Sequence, residues 1–134
     1  MENSPYLLDM SKEFLLPQVI QNFIAAANKP DWEAYVDCFS EDALVLDEGK
    51  EWAGKAAIKK WSAEHHFGAN ITLELKQHKQ HEEEIVVVFK VDGDFDKTGL
   101  PDPLYLDFYF QIRNLKIKQL TILLFKGSEQ LEER

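Results

Sequence analysis

The sequence holds a single cysteine, Cys38, so no disulfide can form within the chain. Positive charge is also scarce: 15 Lys and Arg stand against 24 Asp and Glu, a formal net charge of -9. The bases gather only as Lys59-Lys60 and Lys116/Lys118, which read as solvated faces. A phosphate backbone wants far denser positive charge, so no nucleic acid is expected as partner. No stretch nears the ~20 apolar residues needed to span a bilayer, and no membrane role is expected. Met1-Glu2-Asn3-Ser4-Pro5 lacks the basic start and apolar run of a signal peptide. A soluble, cytoplasmic protein is the expectation. Neither a Gly-rich phosphate loop nor Gly-x-Ser-x-Gly is present, which leaves nucleotide binding and serine hydrolysis without a motif. The four histidines share no ligand spacing. The acidic run from Asp92 to Asp102 lacks the spacing and closing Glu of a calcium loop. No metal and no cofactor are expected.

What is present fits one domain over residues 1–134, with a core at about 17–126, an N-terminal arm at 1–12 and a charged tail at 127–134. A chain of this length buries roughly two-thirds of its unfolded surface and needs no metal or disulfide to hold it. Cys38, beside Phe39 in an apolar pattern, is expected to be a buried thiol rather than a nucleophile. A first helix starts near Leu16, with Pro17 in its first turn and an apolar stripe of Val19, Ile20, Phe23, Ile24 and Ala27. Asp31 is a good N-cap for a second helix from Trp32 to about Phe39. A short apolar run, Ala43-Leu44-Val45-Leu46, then ends in Asp47-Glu48-Gly49. A third helix runs from Gly54 and fades after His65-His66-Phe67. Beyond Gly68 the period changes to two. Strands are predicted at Ile71 to Leu75, at Ile85 to Phe89 after a turn around Gln77 to Gln80, at Leu104 to Ile112 and at Ile117 to Phe125.

Phe39-Ser40-Glu41-Asp42-Ala43, Leu46-Asp47 and Trp52-Ala53-Gly54-Lys55-Ala56-Ala57-Ile58 resemble the opening of the NTF2-like superfamily. The nearest branch is that of the SnoaL-like polyketide cyclases and ketosteroid isomerases. The resemblance covers about residues 17 to 126. It implies an α+β cone: a curved, mostly antiparallel sheet wrapped on three N-terminal helices around an apolar pocket. It also implies a homodimer formed through the sheet. Because this fold carries isomerases, cyclases, hydratases and plain binding modules, it does not by itself license a reaction.

On that resemblance Asp47 falls where an isomerase keeps its general base, and Asp107 near the position of a protonated acid that donates to an enolate oxygen. A base at Asp47 needs apolar walls that raise its pKa, with Leu46 and Trp52 as candidates. The other reading of Asp47-Glu48-Gly49 is a solvated turn. Asp107 alternates with Tyr105, Tyr109, Gln111 and Arg113, a polar side that is either the pocket or a subunit seam. Where the isomerase presents a Tyr hydroxyl from its first helix, this chain has Phe23; Tyr35, Tyr105 or Tyr109 would substitute if their hydroxyls reached the cavity. Of the adjacent His65 and His66, one faces the pocket mouth as acid or base and the other is solvated, with His65 taken as the candidate. Phe23, Trp52, Trp61, Tyr105 and Tyr109 are the expected pocket walls, suited to a small hydrophobic ketone, polyketide or other ring compound. The alternative is a ligand-binding or protein-interaction module without chemistry.

Overall fold

The computed structural model describes residues 16–125. The arm at 1–12 and the tail from 127 lie outside them. Helices α1 (Gln18–Asn28) and α2 (Trp32–Asp37) come first, followed by strands β1 (Phe39–Asp47) and β2 (Lys50–Ala53). Helix α3 (Lys55–Ser62) runs into a π-helical turn (Ala63–Phe67), and the chain continues as β3 (Thr72–His81), β4 (Glu84–Asp92), β5 (Leu104–Arg113) and β6 (Lys116–Leu124). The six strands form one open, curved sheet in the order β2-β1-β6-β5-β4-β3. All neighbours are antiparallel except β1 and β6, which run parallel.

The helices cover one face of this sheet. Pro17 precedes α1 at its N-cap, as its missing N–H allows, and the predicted stripe of Val19, Ile20, Phe23, Ile24 and Ala27 is buried. Phe23 is fully buried and sits at the centre, with its ring 4.6 Å from Tyr35, 5.2 Å from Phe110 and 6.3 Å from Phe108. It joins two helices to the sheet. Asp31 caps α2 as expected, accepting from Ala34 N–H at 3.2 Å. Strand β4 is apolar on both sides: Ile85, Val87, Phe89 and Val91 belong to the helix-covered core, while Val86 and Val88 are buried on the opposite face. Cys38 is buried; its thiol donates to the Ala34 carbonyl at 3.3 Å, and burial pushes its pKa up to about 11.

Three elements depart from the periodicity. The second helix stops at Asp37 rather than Phe39, and β1 begins at Phe39 rather than Ala43. The cause is long-range: Phe39 pairs with Ile117, and the Cys38 carbonyl accepts Ile117 N–H at 2.8 Å. Sheet pairing ends the helix. Strand β3 does not turn at Gln77 to Gln80 but continues to His81, with a register shift between Leu75 and Gln77. The turn lies at Glu82-Glu83, where Glu82 takes a left-handed φ of 59°. Polar residues in a strand with one half-wet face mask the ladder that extends it. Third, α3 widens into a π-helical turn across both histidines.

The β1–β2 hairpin positions the site. Asp47 pairs with Lys50 across Glu48-Gly49, whose φ values are 54° and 77°. A two-residue turn with both φ positive matches the twist of the flanking strands and favours Gly at one of its positions. Asp47 is therefore the last strand residue, fixed by the ladder, and not a mobile loop acid.

Candidate functional site

A pocket of about 780 Å³ opens at the end of the sheet where β1 finishes. Its floor and walls come from Tyr35 of α2, Trp61 of α3, Leu73 of β3, Leu104, Leu106 and Phe108 of β5, and Ile122 of β6. His65 and His66 of the π-helical turn border it, and Phe95, Asp96 and Leu100 of the β4–β5 connection close one side.

Asp47 lies in its wall. Trp61 Nε1 donates to Asp47 Oδ2 at 3.0 Å, so one carboxylate oxygen is held and the carboxyl plane is oriented. Burial raises the Asp47 pKa above the ordinary carboxylate value; the Trp61 bond and the His65 imidazole work against the rise, while Glu48 adds to it. A carboxylate with one oxygen fixed, poorly solvated and facing an apolar hollow has the properties of a general base.

Tyr35 is the second polar group. Its ring is fully buried among Phe23, Phe39, Trp61, His66 and Phe67, and it borders the pocket. Its hydroxyl is buried and has no hydrogen-bond partner among the described residues. Burial first, and then the Asp47 charge, hold the phenol well above its ordinary pKa. It is thus a neutral donor at any working pH. A buried hydroxyl left without a partner costs about 1–3 kcal/mol.

His66 is not solvated, as the helical reading required. It is buried, stacks on Tyr35 with ring centres 4.9 Å apart, and its Nε2 meets the Ala27 carbonyl at 3.1 Å. A carbonyl only accepts, so Nε2 carries the proton of the neutral ring. Burial lowers its pKa. The π-helical turn explains the error: its wider winding lets both adjacent imidazoles border one pocket, and no sequence signal announces it. His65 sits at the rim with Glu64 Oε1 3.8 Å from its Nε2.

The other predicted site residues are elsewhere. Leu104, Leu106 and Phe108 line the pocket, so alternation turns Tyr105, Asp107 and Tyr109 to the opposite face of β5. There Asp107 Oδ2 accepts from the Tyr109 hydroxyl at 3.4 Å, while Oδ1 is buried without a partner among the described residues. Burial raises the Asp107 pKa, against the pull of Tyr109 and Lys79. It cannot reach a ligand bound beside Asp47. Phe23 is core, one layer below the pocket, and Trp52 packs 5.8 Å from His65 without lining it. The aromatic partner of Asp47 is Trp61, not Trp52, because the latter lies on the short β2 while α3 leans over the strand end. His78 and His81 both belong to β3. No cluster of metal-ligating side chains occurs among the described residues.

The open curved sheet with its helices on one face, and the hollow at the strand ends, define an NTF2-like fold. A family profile described as SnoaL-like domain matches residues 20–120, and the chain belongs to that family. A candidate polyketide cyclase from Sinorhizobium meliloti superposes with a TM-score of 0.75 at 27% identity, over 83% of this chain and 98% of that one. A candidate ketosteroid isomerase from Kribbella flavida gives 0.67 at 12% identity, over 82% and 77% of the two chains. The canthaxanthin-binding Orange Carotenoid Protein of Anabaena (Nostoc) gives 0.72 at 17% identity, over 90% of this chain and 40% of that protein. The last two likenesses show the fold alone. No curated protein matches the chain.

Proposed function

We propose that this SnoaL-like domain takes a small hydrophobic ketone, polyketide or related ring compound into the pocket and transfers a proton on it. Asp47 is the general base that removes a proton next to the carbonyl, and the Tyr35 hydroxyl donates to the oxygen on which negative charge develops. Trp61 orients the base, and His65 at the rim exchanges protons with water. The supporting observation is the pairing of a desolvated, oriented carboxylate with an unpartnered buried hydroxyl around one apolar hollow. Asp107 has no part in this step, and no metal or cofactor is needed for it. The direct test is solvent deuterium uptake at the α-carbon of β-tetralone, followed by NMR. Uptake above the buffer rate that vanishes in Asp47→Asn supports the reading, whereas binding without uptake supports the alternative, a non-catalytic binding module. One observation favours that alternative: the Trp61 bond also gives Asp47 a purely architectural use.

The outer face of the sheet is proposed as the seat of a second copy. Val86 and Val88 are already dry there, and the unpartnered Asp107 oxygen lies on the same face as Lys79, so a twofold-related copy can supply the missing donor. Sedimentation equilibrium would show a dimer.

A further inference from the structure

We propose that the pocket selects its ligand by charge: it admits neutral molecules and protonated amines and turns away carboxylates, phosphates and anything still joined to a phosphate-bearing carrier. This deepens the function proposed above and rests on the same pocket. Four carboxyl groups border the hollow, Asp47 in the wall and Glu48, Glu64 and Asp96 exposed at the mouth. No Lys or Arg is among the described residues that line it. Lys97, next to Asp96, is not in the lining; its Nζ lies 3.0 Å from Asp92 Oδ1, which offsets its charge, and 5.2 Å from the Phe95 ring centre. Acids of one sign around a mouth with apolar walls focus the field inward, where water screens it least.

The inner end agrees independently. Tyr35 borders the pocket and its hydroxyl is buried without a partner among the described residues; a phenol turned to a ligand satisfies a carbonyl or an amine. A carboxylate there would be set beside Asp47 with no Lys or Arg in the lining to offset either charge. Trp61 and Phe108 line the hollow, and aromatic rings there favour an ammonium group.

The test compares three ligands with one body: 2-(2-naphthyl)ethanol, 2-(2-naphthyl)ethylamine and 2-naphthylacetate, titrated calorimetrically into the full chain. The amine is expected to bind at least as tightly as the alcohol, and the acetate about tenfold more weakly. Raising salt from 20 mM to 500 mM should shrink that gap. The triple variant Glu48→Gln, Glu64→Gln, Asp96→Asn should narrow the gap as well, leaving only the part that Asp47 sets. Acetate binding as tightly as the alcohol, or a gap that neither salt nor the triple variant narrows, overturns the charge filter alone. No binding by any of the three overturns the pocket's function along with it. The salt series needs no variant, so the proposal stays exposed even if the triple variant folds poorly.

Discussion

Asp47 and Asp107 make a natural pair of controls within one sheet. Each is a strand carboxylate held by an aromatic donor, Trp61 Nε1 at 3.0 Å and the Tyr109 hydroxyl at 3.4 Å, and burial raises the pKa of each. They differ in what lies in front of them. Asp47 closes a strand at the lip of a 780 Å³ hollow, whereas Asp107 sits mid-strand on the face without helices. A perturbed carboxylate is therefore not evidence of a site until a space for a ligand is found beside it.

The sharpest way to break this contrast is a pair of isosteric variants read by deuterium uptake. Asp47→Asn should lower the rate by about 10²–10⁴-fold, the usual worth of a general base, while Asp107→Asn stays within about twofold. Equal losses would end the distinction between the two faces.

Next in size is Tyr35→Phe. Uptake should fall about 10²-fold if the hydroxyl donates to a developing oxyanion. Stability in urea should stay level or rise by up to about 1 kcal/mol, because the variant removes a buried hydroxyl that no described residue satisfies. A large loss of stability would instead mean that the hydroxyl has a structural partner.

Stability against pH should treat the two acids alike. Each binds its proton more tightly folded than unfolded, so the fold loses stability as pH rises from the ordinary carboxylate value of 3.8 through the raised folded value. Asn at either position removes that contribution. His66 has the opposite sign: its folded pKa lies below the ordinary 6.5, so stability falls as pH drops through 6.5 toward the lowered value. His66→Gln should flatten that second slope in denaturant titrations.

The smallest effect is expected from Trp61→Phe. Its N–H stabilises charged Asp47, so losing it moves the acid limb of the pH–rate profile to higher pH. A shift downward would contradict the assignment of that limb to Asp47.

Much of this layout was legible beforehand. Val19, Ile20, Phe23, Ile24 and Ala27 gave one buried helix face, and Asp31 capped the next helix as its residue type suggests. Asp47 was legible because the Glu48-Gly49 turn ends the strand in one defined place. Asp107 was legible only as one of an alternating set. Its partners on that face, Tyr105 and Tyr109, were correctly grouped with it, but alternation has two phases and says nothing about which one meets the helices. Trp52 and Trp61 posed the same problem on a larger scale, since both flank Gly54 and only the lean of α3 over β1 selects Trp61.

The sequence by itself determined the class of fold, the turn that halts β1 at Asp47, and the acidic, cation-poor character of the chain. These follow from local chemistry: caps, turn residues, apolar period and counted charge. Tertiary structure decided which face of β5 meets the helices, where the second helix yields to a strand, and that Tyr35 and His66 come together beside Asp47. Those outcomes depend on ladder pairing and helix winding between residues far apart in the chain, which no local pattern encodes.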